Sequence, residues 1–154
     1  MVRGTHSLLA GWQRVSTHAC GVALLLTGAA WLAVHYGWGA GRGELPHPWE
    51  AWTMRLHALA ALVAVFLLGA LAASHVPHGW RSSWRRHLDT QRRLGIALCT
   101  LGAALALTGY ALMYLVGESA RPALGWIHTA LGALMAAVLW VHRRHVQQRR
   151  HRHG

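Results

Sequence analysis

Four long apolar runs, with Arg55 near the start of the second as their one charged residue, dominate this chain. They extend from about Val15 to Gly37, Trp52 to Val76, Leu94 to Gly117 and Ala123 to His142. A helix needs roughly 20 apolar residues to cross a bilayer, and each run is long enough. Ala and Leu prevail and no strand-like alternation is present, so all four read as helices. Inside lipid a helix satisfies its own backbone polar groups. The expected fold is therefore all-α: an integral membrane four-helix bundle over residues 1–144, followed by a basic, His/Arg-rich tail over 145–154. The first run follows a short basic start, as a secretory signal would. A signal's apolar region spans about 7–15 residues, whereas this run is longer and reads as the first spanning helix.

Charge sets the expected orientation. The formal net charge is +11, with 54% hydrophobic and only 12% charged residues, against roughly a quarter charged in soluble domains. Basic excess on this scale raises the possibility of nucleic acid, but the arginines fall in short clusters between the apolar runs, a membrane pattern. Arg3 and Arg14 precede the first run. Arg81, Arg85, Arg86, Arg92 and Arg93 lie between the second and third, and Arg143, Arg144, Arg149, Arg150 and Arg152 follow the fourth. The other two connections are neutral, pairing Arg42 and Arg55 with Glu44 and Glu50, and Arg121 with Glu118. All excess charge thus falls on one side, which predicts both termini in the cytoplasm. Trp12, Trp38, Trp49, Trp52, Trp80, Trp84, Trp126 and Trp140 flank the runs as an interfacial belt would. The tail RRHVQQRRHRHG reads as an anchor toward anionic lipid.

Histidines inside the apolar runs carry the functional signal, because ionisable groups in a membrane are costly and usually functional. The first run holds His18 and His35, the second His57 and His75, and the fourth His128 and His142. At 1.5 Å and 100° per residue, His128 and His142 stand about 21 Å apart and about 40° around the helix, on one face. His57 and His75 are about 27 Å apart and in phase. With alternating helix directions, His57, His128 and His35 share an outer layer. His75, His142 and His18 share an inner one. Two imidazole layers roughly 20 Å apart suit two stacked bis-histidine haems. Glycines at seven-residue spacing (Gly95, Gly102 and Gly109; Gly21 and Gly28; Gly125 and Gly132) leave room for a flat macrocycle, or serve close helix packing. Arg55 and Arg121 are placed for propionates of an outer haem, and Arg92, Arg93 and Arg143 for those of an inner one. A snorkelling interfacial role competes at each.

Other chemistry is sparse. Cys20 and Cys99 are isolated, without the C-x-x-C-H pattern of covalent haem. No phosphate loop, dinucleotide fingerprint or zincin motif is present. The four acids are expected in the loops, which disfavours a carboxylate ion path.

The segments WEAWTMRLHALAA, SHVPHGW, ALTGYALMYLVGESAR and WIHTALGALMAAVLWVHRR resemble the bacterial four-helix diheme cytochrome b subunits of formate dehydrogenases and nickel–iron hydrogenases. The resemblance covers about Ser7 to Arg144, and the His pair of the fourth run is its most specific element. It implies a bacterial inner-membrane protein of a respiratory chain with two haem b groups. Such a protein passes electrons between a periplasmic redox protein or c-type cytochrome and the quinone pool, as a subunit rather than a stand-alone enzyme. By position, His57 and His128 match the outer-haem ligands and His142 one inner ligand. The second inner ligand is His75, with His18 as the alternative. His35 reads as a structural or propionate-contacting residue. Expected partners are lipid, the redox protein and quinone, but not nucleic acid, with a homodimer or hetero-oligomer open. The competing readings are a haem-free membrane anchor or assembly subunit, and a small metal transporter, which the lack of intramembrane acids and Cys pairs weakens.

Overall fold

A computed structural model describes the backbone of residues 6–85 and 89–152, and side chains over 11–73, 77, 81, 89–145 and 148. Among the described residues every regular element is helical: α1 (His6–Trp38), a 3-10 turn (Ala40–Arg42), α2 (Pro48–Arg85), α3 (Asp89–Tyr114) and α4 (Arg121–Arg152). The shortest of the four long helices, α3 with 26 residues, is about 39 Å long, more than a hydrocarbon core of about 30 Å requires. Each long helix contains an apolar span: Gly11–Trp38, Pro48–Ala73, Asp89–Tyr114 and Arg121–His145.

The surface is the inverse of a soluble domain's. Leu67, 5% exposed, is the one buried hydrophobic residue of the core among the described residues, whereas Phe66 is 71% and Leu107 70% exposed. Apolar exposure on this scale marks a surface whose solvent is lipid. Six of the belt tryptophans, Trp12, Trp38, Trp49, Trp52, Trp126 and Trp140, are exposed. Trp80 and Trp84 lie outside the described side chains.

The chain divides into two compact units, Met1–Leu71 and Ala72–Gly154. In the first, α1 and α2 run antiparallel and meet at successive levels: Cys20 donates to the Ala60 carbonyl at 3.2 Å, His57 meets Thr27 at 3.0 Å, and His35 meets Glu50 at 2.8 Å. Their connection is built around Glu50. A capping box opens α2: the Trp49 N–H donates to His47 Nδ1 (3.3 Å), while the Glu50 carboxylate reaches back to the His47 N–H (2.9 Å). Pro48 occupies the first helical position, where its missing N–H costs nothing. Gly43 turns the chain with φ +82°, a left-handed conformation that favours glycine. In the second unit α3 packs antiparallel on α4, and the Arg121 guanidinium donates to the Val116 carbonyl just past the end of α3 (3.3 Å).

Two expectations need correction. The segment after the second span is not a loop from Val76: α2 runs on to Arg85 with Pro77 inside it. The proline lies past the apolar span that ends at Ala73, where water can take up the carbonyl that Pro77 cannot serve. Nor do all four acids lie in loops. Glu50 and Asp89 occupy the first turns of α2 and α3, where a helix N-terminus favours negative charge.

Candidate functional site

The site histidines fall into three environments. His57, on α2, and His128, on α4, are half-buried and share one construction. Thr27 donates its hydroxyl proton to the Ala23 carbonyl at 2.7 Å, and Thr108 donates to Ala104 at 2.8 Å. A helical threonine in lipid satisfies its hydroxyl in this way. His57 Nδ1 meets Thr27 Oγ1 at 3.0 Å, and His128 Nδ1 meets Thr108 Oγ1 at 2.7 Å.

The residue after each threonine is glycine, and the reason is steric. A Cβ on Gly28 would lie 3.4 Å from His57 Cε1, and one on Gly109 3.5 Å from His128 Cε1. Each imidazole edge rests on a bare stretch of the facing helix. The two constructions also share sequence: residues 18–28 and 99–109 agree at Gly21/Gly102, Ala23/Ala104, Leu24/Leu105, Leu26/Leu107, Thr27/Thr108 and Gly28/Gly109. Thr27 and Thr108 were not foreseen as site residues. The repeated LTG triplet was the available signal.

His18 is the second environment. Its Nδ1–H donates to the Arg14 carbonyl one turn back, and its Nε2 is buried with no hydrogen-bond partner. A buried nitrogen lone pair without a donor is unfavourable, and a metal ion would satisfy it. His142, the other inner-layer residue on the face of His128, is half-buried on α4. His75 belongs to α2, and its side chain lies outside the described ones.

His35 is the third. Its Nδ1–H donates to Glu50 Oε2 at 2.8 Å, its ring stacks on Trp31 at 4.4 Å, and Tyr36 meets it edge-on at 4.8 Å. The other carboxylate oxygen of Glu50 takes the Ala40 and His47 N–H groups at 3.0 and 2.9 Å. His35 is therefore a structural residue of the α1–α2 connection.

Several arginines proposed for propionates have local partners. Arg55 stacks over Trp52 at 5.2 Å, Arg121 caps α3, and Arg92 pairs with Asp89 at 3.0 Å. Arg93 and Arg143 are exposed. Around Gly21, Gly95, Gly125 and Gly132 a Cβ would meet nothing within 4 Å, so these four are not close-packing contacts between described residues. No three His, Cys, Asp or Glu side chains converge into a metal-binding group among the described residues. A bis-imidazole haem needs no such cluster, because the porphyrin supplies the equatorial nitrogens.

No protein family matches the chain, and no curated protein or solved structure matches it either.

Proposed function

We propose that this chain is a membrane-bound diheme cytochrome b that relays electrons between a periplasmic redox partner and the quinone pool. The observation that carries the reading is the buried Nε2 of His18, which has no hydrogen-bond partner, beside two intramembrane imidazoles that each meet a threonine of the neighbouring helix. Ligating histidines characteristically donate their second ring nitrogen to an oxygen acceptor. His18 does so to a carbonyl, and His57 and His128 each have Nδ1 within hydrogen-bond distance of a hydroxyl.

In this reading His57 and His128 are the axial ligands of an outer haem, on the equal depth that helix geometry gives them. His142 is one ligand of an inner haem. For the other, the buried Nε2 of His18 favours that residue over His75. Bound haem would supply one-electron Fe(III)/Fe(II) chemistry. The protein's part is to hold the imidazoles in one rotamer and tautomer, to exclude water with the apolar helix faces, and to keep the chain oriented with both termini in the cytoplasm of a bacterial inner membrane. It would serve as one subunit of a larger redox system.

The alternative is a haem-free anchor or assembly subunit whose histidines only bond between helices. The Thr–His bonds favour it as much as they favour the cytochrome. It leaves the buried His18 nitrogen without a purpose. A dithionite-reduced minus oxidised visible spectrum of the purified protein, with haem quantified per chain, separates the two. Two b-type haems are expected, with outer-haem absorbance lost in His57→Ala and His128→Ala. A preparation made with haem available that holds none would overturn the cytochrome reading.

A further inference from the structure

We infer that the arginine-rich end of the α3–α4 pair is a binding site for the headgroup of an anionic phospholipid, built from Arg93, Arg143 and Arg144 with Trp140. The register of the two helices brings these residues to one level. Thr108 and His128 meet at 2.7 Å. Counting fifteen residues back along α3 from Thr108, and fifteen forward along α4 from His128, reaches Arg93 and Arg143. Both therefore lie about 22 Å from that contact, at the same end of an antiparallel pair. All three arginines are exposed. The acid of this end, Asp89, is taken by Arg92 at 3.0 Å. Among the described residues no carboxylate pairs with Arg93, Arg143 or Arg144. At the opposite end of the pair Arg121 instead donates to the Val116 carbonyl.

Each arginine heads an exposed apolar face. Arg93, Ile96 and Leu107 share one on α3, and Ala137, Trp140 and Arg144 share one on α4, as helical spacing requires. Acyl chains lying on these faces end in a phosphate at the level of the arginines. The Arg144 guanidinium lies 3.7 Å over the Trp140 ring. Stacking holds it by its flat face and leaves its N–H edges free for a pair of phosphate oxygens. Trp140 itself is 55% exposed, an indole suited to the headgroup layer. A zwitterionic headgroup would bring its own cation against three guanidinia, so the site selects a lipid with net negative charge. The inference does not depend on haem.

The test is native mass spectrometry of the full-length, delipidated protein in micelles, titrated with phosphatidylglycerol and separately with phosphatidylcholine. The unaltered chain is expected to bind phosphatidylglycerol about a hundredfold more tightly, roughly fivefold for each arginine. Arg93→Gln, Arg143→Gln and Arg144→Gln should each cut that preference about fivefold. Trp140→Leu should cut it about threefold by freeing Arg144, and the triple glutamine variant should abolish it. Arg14→Gln removes one exposed arginine from α1 and should leave the preference unchanged. An equal loss in Arg14→Gln would make the attraction a diffuse effect of net charge and overturn the inference. A triple variant that keeps the preference overturns it as well, and so does an unaltered chain that prefers neither lipid. If that chain retains polyglutamate instead, the arginines belong to a docking site for an acidic protein.

Discussion

The α1–α2 connection allows a quantitative test of what holds the outer ends of these helices together. Glu50 is 9% exposed and accepts three donors: the His35 ring, the Ala40 N–H and the His47 N–H. Removing the carboxylate in Glu50→Ala leaves all three unpaired. An unsatisfied buried donor costs about 1–3 kcal/mol. Because His35 keeps 21% of its side-chain surface in solvent, water recovers part, and the expected loss is about 3–5 kcal/mol. Gly39→Ala attacks the same group from the other side. Its φ of −127° suits any residue, so the backbone is not the obstacle. The new Cβ would stand 1.8 Å from Glu50 Oε1, which forces that oxygen off its two N–H donors, at about 2–4 kcal/mol. Once Glu50 is alanine, the nearest remaining contact is the Val34 carbonyl at 3.2 Å. Gly39→Ala in that background should then cost under about 1 kcal/mol, a coupling of about 2 kcal/mol between neighbouring sites. The measurement is reversible unfolding in mixed micelles with rising SDS, read by tryptophan fluorescence, for both single variants and the double. Additive costs would refute the reasoning, and so would an Glu50→Ala variant as stable as the unaltered chain.

Other outcomes follow from the same contacts. Gly28→Leu and Gly109→Leu place side chains where the His57 and His128 edges lie 3.4 and 3.5 Å away, and each should lower haem content at least about tenfold. Gly69→Ala, with nothing within 4 Å of the new atom, should leave haem unchanged and stabilise α2 by roughly 0.5–1 kcal/mol; equal effects at the three positions would contradict the steric argument. Cys99 is exposed, whereas Cys20 is half-buried and bonded to Ala60, so a membrane-permeable maleimide should modify Cys99 well ahead of Cys20, with mass spectrometry reading the order. Gln148→Cys, at an exposed position of α4, should react with an impermeant thiol reagent in inside-out vesicles and not in intact cells. The opposite pattern would reverse the proposed orientation.

Much of this molecule is written in its linear sequence. Runs of Ala and Leu without charge can settle in lipid only as helices, because nothing else there satisfies the backbone. The four spans and the histidines they carry were therefore legible from composition and spacing. Helix periodicity placed His128 and His142 on one face for the same reason: a regular helix turns sequence separation into angle and rise. What one helix cannot show is what faces it from another. His57 Nδ1 meets Thr27, 30 residues away, and His128 Nδ1 meets Thr108, 20 residues away. His35 looked like an outer-layer ligand candidate by depth alone, and only the fold brought Glu50 to its ring. The glycines divide in the same manner. Their seven-residue spacing was visible, but which of them touch an imidazole, as Gly28 and Gly109 do, and which stand beside open space, as Gly21 and Gly125 do, was decided by antiparallel packing within each unit. Local physics along the chain fixes helices and their polar faces, while hydrogen-bond partners across helices exist only once the packing has chosen them.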